Sequence, residues 1–172
     1  MSRNISIIKG SENTQIVIIT DTVFHNKQNI AWDDVENYLE QYVGEIYNIA
    51  IDGAEIFIGK DLPEEYAHSK YTRSLKGGLA KTKANITQAI PELIQISLNK
   101  SWVDNHDQKH KADAKYGWYR YDTRFALAVY NREKEIERYN VYKARMIIRH
   151  DKDGKMYLYD IINIKKESEY PA

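Results

Sequence analysis

No cysteine occurs in the 172 residues, so disulfides, thiolate metal sites and a cysteine nucleophile are excluded together. That absence fits a cytosolic protein, and the chain is expected in the cytoplasm. Long hydrophobic runs are missing as well. No apolar stretch approaches the roughly 20 residues needed to span a membrane. The opening "MSRNISIIKG" lacks the apolar core of about 7–15 residues that marks a signal peptide. The sequence therefore predicts a soluble chain with no membrane partner. Net charge is the third absence: 25 Lys+Arg balance 25 Asp+Glu, which taken whole argues against a polyanionic partner.

What is present is ordinary in amount and uneven in placement. Hydrophobic residues at 42% and charged residues at 29% match globular averages, and the length suits one domain or a domain with a smaller appendage. Residues 1–59 hold 3 of the 25 Lys+Arg and 9 of the 25 Asp+Glu; residues 60–172 hold the remaining 22 and 16. This asymmetry points either to an anionic partner for the basic part or to an acidic lobe that docks on a basic one.

The acidic part reads as a small α/β unit. "TQIVIIT" (14–20) is an apolar run suited to a buried strand. "AWDDVENYLEQYVG" (31–44) spaces Trp32, Val35, Leu39, Tyr42 and Val43 as a helix, with Asp33 or Asp34 as cap and Gly44 as terminator. "IYNIAIDGAEIFIG" (46–59) predicts a hairpin turning at Asp52-Gly53. Lone His25 reads as a loop residue. Beyond the boundary, Asp61 and Pro63 start a helix that runs to about Leu75, where "KGG" breaks it. A second helix begins near Leu79, restarts or kinks at Pro91, and extends its apolar stripe to Leu98.

The polar segment "VDNHDQKHKADAKYG" (103–117) could continue as helix, which would set His106 and His110 on one face. That spacing can chelate zinc, but no third ligand stands nearby in sequence, so no metal and no cofactor is expected. A histidine flanked by Lys109 and Lys111 instead titrates near neutrality beside phosphate-attracting charge. Two solvent-facing histidines without a role are the plain alternative.

Three strands follow, at 117–130, 136–150 and 155–167, joined by the polar turns "REKE" and "DKDG". Period two places Tyr119, Tyr121, Phe125, Leu127 and Val129 on one face of the first and Trp118, Arg120, Asp122 and Arg124 on the other. The second carries Tyr142, Ala144, Met146 and Ile148 against Lys143, Arg145 and Arg149. In the third, Met156, Leu158, Ile162 and Ile164 oppose Tyr157, Tyr159 and Asn163. Three aligned strands thus present a basic, aromatic face suited to phosphates and stacked bases. Arg120 and Asp122, two apart on that face, are expected to pair, the carboxylate orienting the guanidinium toward a phosphate. The predicted fold class is α+β: a helical layer (60–115) packed on a small antiparallel β-meander, preceded by the small N-terminal unit (1–59).

With "LPEEYAHSKYT", "KHKADAKYGWYRYDTRF" and "DGKMYLYDIINIKKE", residues from about 60 to 167 resemble a domain found in phage and mobile-element polyvalent proteins. Several such domains are grouped with the barnase–EndoU–colicin–RelE nucleases, whose cores are helices followed by a small antiparallel sheet. The resemblance implies a nuclease-like domain, a toxin or mobile-element effector, and an RNA or protein partner, such as an immunity protein. It assigns no catalytic set. From the residues alone, a metal-independent endoribonuclease would use His110 or His106 as base or acid. Arg120, Arg124 and Arg145 would hold the phosphate, and Tyr159 would donate a proton or stack. Lys111, Trp118, Lys143, Arg149 and Tyr157 would extend contact along single-stranded nucleic acid. The alternative is a non-catalytic accessory module that binds nucleic acid or protein through the same face.

Overall fold

A computed structural model describes residues 4–9, 14–25, 29–103 and 116–171. Two short strands, β1 (Ile5–Lys9) and β2 (Gln15–Ile19), pair antiparallel. Helix α1 (Trp32–Leu39) buries Val35 and Leu39 and tightens into a single 3-10 turn at its end. Its first turn holds Asp33 and Asp34, but Ala31 is the cap residue. The hairpin β3 (Ile46–Asn48) and β4 (Glu55–Phe57) turns at Gly53, whose φ of +72° suits a residue without a Cβ. Next come α2 (Leu62–His68), α3 (Lys70–Ser74), α4 (Gly78–Asn85), a 3-10 turn, and α5 (Ile90–Gln95), which restarts the chain at Pro91. β5 (Leu98–Val103) leads to three long strands, β6 (Trp118–Tyr130), β7 (Ile136–His150) and β8 (Met156–Pro171).

These strands form one eight-stranded mixed sheet in the order β1-β2-β6-β7-β8-β4-β3, with β5 also pairing β6. The central strands β6, β7 and β8 pair antiparallel. β2 joins β6 in parallel, and β4 joins β8 in parallel. β6 is long enough to take β5 along its first half and β2 along its second, on the same edge.

The expected architecture of a helical layer on a small meander is overturned. Strand accounts for 44% of the described structure and helix for 28%, and the sheet curls into a half-barrel. The N-terminal segment is not a unit placed ahead of the sheet; it supplies four of the strands, two at each side of the central three. Pairings β2–β6 and β4–β8 cross the boundary expected near residue 60, and so does the core. Val17, Leu39, Ile56, Tyr66, Leu93, Phe125 and Met146 belong to one buried cluster on the helix-covered face. Tyr121 binds it further, its hydroxyl donating to Asp52 Oδ2 at 2.9 Å. Leu98 does not extend a helix but begins β5. The segment 104–115, on which the last predicted helical stretch falls, lies outside the described residues.

Period two holds along β6 and β7, where Phe125 and Tyr142 stack ring on ring across the pair (5.2 Å, 16°). In β8 it slips. Ile148 faces Leu158 but Ile147 faces Asp160, so Tyr159 is the extra residue of a bulge. Ile161, not the predicted Ile162, therefore enters the core. A second irregularity near Asn163 (φ +53°) resets the alternation and returns Ile164 inward. No helix among the described residues is long and apolar enough to cross a membrane.

Candidate anion-binding groove

The sheet face turned away from the helices carries the charged residues of the central strands in cross-strand rows. Arg124 of β6 stands opposite Lys143 of β7, and Lys143 stands opposite Lys165 of β8. Neighbouring strands lie about 4.8 Å apart, so three cationic side chains rise side by side. The adjacent row is Asp122, Arg145 and Ile162. Like charges placed directly opposite on adjacent strands destabilise a sheet.

A groove opens beside these rows because the edge of β6 is split. Pairing with β5 reaches Asp122 through Leu98, pairing with β2 begins at Phe125, and Thr123 and Arg124 fall between. The groove encloses about 450 Å³ and is lined by Thr14, Asn99, Asp122, Arg124, Lys143, Arg145, Asn163, Lys165 and Glu167, among others. Two of its residues, Asn99 (φ +60°) and Asn163 (φ +53°), hold left-handed backbone, a conformation that asparagine tolerates better than most residues. Each sits at a register shift, in β5 and β8 respectively. Bulges of this kind re-aim side chains and gather beside functional sites.

Carboxylates hold part of the charge. Arg124 donates through Nε to Glu167 Oε1 at 3.0 Å and through Nη1 to Thr14 Oγ1 at 3.3 Å. Asp122 Oδ2 accepts from Asn99 Nδ2 at 3.0 Å, and its Oδ1 lies 4.0 Å from Arg145 Nε. Among the described residues Lys143 and Lys165 have no ion-pair partner. With four cations against two carboxylates, the groove keeps an excess of positive charge on two exposed ammonium groups.

The sequence-derived site is thus divided. Arg124, Lys143 and Arg145 meet in the groove. Trp118, Arg149, Tyr157 and Tyr159 cluster at the far end of the same strands, and the six residue steps from 118 to 124 span about 20 Å. There Trp118 and Tyr159 pack edge to face (4.9 Å, 74°). Arg149 is no free cation: its side chain is 8% exposed, bonded to Asp61 Oδ2 at 2.5 Å and 3.7 Å from Asp151, with its guanidinium over the Tyr157 ring. That is why Asp61, positioned to cap α2, makes no capping bond. The Tyr157 hydroxyl donates to Asp153 Oδ2 at 2.8 Å; burial first, then this carboxylate, push its pKa up to about 12. Arg120 lies outside the groove, between Ser101 and Ile147 on its two neighbours. Its expected pairing with Asp122 does not form, because Asn99 and Arg145 face that carboxylate instead. His106, His110 and Lys111 lie outside the described residues.

Sequence reasoning missed Lys165, Glu167, Thr14 and Asn99. Lys165 was within reach of the period-two pattern, two residues beyond Asn163. Nothing local marks Thr14 or Asn99, which reach the groove only through the pairing of β2 and β5 with β6. A scan against protein-family models and searches of curated proteins and solved structures found no match to the chain.

Proposed function

We propose that this chain is a nucleic-acid-binding module whose groove holds the phosphate backbone of single-stranded RNA or DNA. The observation that carries the reading is the row Arg124–Lys143–Lys165, a like-charge arrangement that costs folding stability and is offset when phosphates occupy it. Two further features support a strand over a small anion. The groove is open along the sheet, and the same face continues to the Trp118–Tyr159 aromatic pair, where bases would find π-faces to stack on. Catalysis is not part of this proposal. The groove lining contains no imidazole, and His106 and His110 lie outside the described residues.

The test is fluorescence anisotropy with labelled single-stranded RNA and DNA oligomers over a range of salt. Binding that weakens steeply as salt rises, and that is clearly weakened when Lys143 and Lys165 are both changed to Gln, is the expected result. No binding at low salt, or binding indifferent to that double change, overturns the reading.

A further inference from the structure

Away from the groove, two helices bring three metal-ligating side chains to one point. Asp33 and Glu36 lie one turn apart on α1, and His68 lies in the last turn of α2. His68 Nε2 is 2.8 Å from Glu36 Oε1 and 3.3 Å from Asp33 Oδ1. The three ligand atoms all lie within 4.8 Å of one another. We propose that this cluster binds a divalent first-row metal ion, Zn2+ foremost, through one imidazole nitrogen and two carboxylate oxygens.

Hydrogen bonding alone does not complete the cluster. Nε2 carries at most one proton, which can point along one of the two oxygens, so the second carboxylate faces a nitrogen already committed. Among the described residues neither Asp33 nor Glu36 pairs with a lysine or arginine; His68 is their shared partner. A cation between the three atoms satisfies all of them at once. Metal–ligand bonds of about 2.1 Å set tetrahedral ligand atoms about 3.4 Å apart. The 3.3 Å separation already matches that spacing, and the 2.8 Å one has to open slightly.

The donor set selects the kind of ion. A mixed nitrogen and oxygen set suits zinc, manganese or iron, whereas magnesium and calcium favour oxygen alone. The C-terminal end of α2 favours a cation and the N-terminal end of α1 opposes it, so the two carboxylate charges decide the balance. Asp33 is 91% exposed, which leaves water free to complete the coordination. Because Asp33 and Glu36 come from the acidic part of the chain and His68 from the basic part, the ion would clamp α1 to α2.

Calorimetric titration of Zn2+ into the full chain at neutral pH tests this, in a His106→Gln/His110→Gln background that removes the other histidine pair. Saturable binding of one equivalent is expected, weakened by about tenfold or more in His68→Gln and again in Glu36→Gln. Co2+ in place of Zn2+ should give visible absorption bands that those two variants lose. Circular dichroism checks that the variants fold. Should one fail to fold, selective broadening of the His68 ring resonances by Mn2+ in the background protein supplies the same evidence. Absence of saturable Zn2+ binding, undiminished affinity in folded His68→Gln, or His68 resonances untouched by Mn2+ would overturn the proposal.

Discussion

Lys83 of α4 and Asp160 of β8 meet at 2.7 Å with their side chains 0% and 5% exposed. Burial pushes the Lys83 amine down and the Asp160 carboxyl up, and each partner's charge opposes the shift. Asp160 Oδ1 also accepts from the amide of Ile161, and the Lys83 ammonium lies over the rings of Tyr66 and Tyr71. Asp160 lies two residues beyond Leu158, so the alternation that buries Leu158 also carries Asp160 toward α4, and Tyr159 between them is the extra residue of the β8 bulge. Beyond the second irregularity near Asn163, Lys165 stands opposite Lys143.

Removing either partner of that pair leaves the other charge buried and uncompensated. Lys83→Met and Asp160→Asn should each cost about 3–5 kcal/mol of stability in urea unfolding. The double variant should cost clearly less than the sum, because no lone charge remains. Additive losses would show that the two residues act independently.

In the groove, stability and binding should move apart. Lys143→Gln with Lys165→Gln removes like-charge repulsion, so the melting temperature should hold or rise slightly. The same change should flatten the salt dependence of binding to single strands by about 1.4 in log–log slope, the share of two phosphate contacts. A lower melting temperature with unchanged binding would mean that the two lysines serve packing.

Glu167 restrains Arg124 through a half-exposed ion pair, 28% and 30% exposed. Glu167→Gln should therefore change stability by less than about 1 kcal/mol. It should tighten nucleic-acid binding and steepen the salt slope by about 0.7, as Arg124 becomes available for one more phosphate. Weaker binding in this variant would count against Arg124 as a phosphate ligand.

Arg120 provides the internal control. It stands on the same face but outside the groove lining, and lysine keeps its charge on the path toward Trp118, so Arg120→Lys should leave both melting temperature and affinity unchanged, measured by thermal melts and anisotropy. A marked loss of affinity would make the Arg120 guanidinium itself a phosphate ligand.

The Tyr157–Asp153 bond predicts a pH dependence of definite sign. The folded protein holds the phenolic proton up to about pH 12, against about 10 for free tyrosine. Because the folded-state pKa is the raised one, this contribution is fully present below about pH 10 and lost as pH climbs through about 12. The stability gap between the wild type and Tyr157→Phe should shrink across that window. Difference absorbance should assign one late-titrating phenol to Tyr157. A gap that stays constant would place the bond outside the folding equilibrium.

Local chemistry in the sequence determined the elements whose cause is local. Alternation along 118–130 and 136–150 fixed two long strands and their two faces, because side chains of an extended chain alternate whatever pairs beside it. Asp52-Gly53 fixed the hairpin turn and Pro91 the restart of a helix, each through backbone conformation alone. The cations Arg124, Lys143 and Arg145 were legible as one face for the same reason. Tertiary structure decided everything that rests on partners distant in the chain. β2 and β5 share one edge of β6, and that split edge makes the groove. Asp160, on the inward phase of β8, is held in the core by Lys83, 77 residues away, because a buried charge is tolerated only when paired. The bulge beside it is invisible to strict alternation. Arg149, which reads as one more surface cation, is sealed between Asp61 and Asp151. Periodicity reports which side of its own strand a residue faces; only the assembled sheet sets what stands against it.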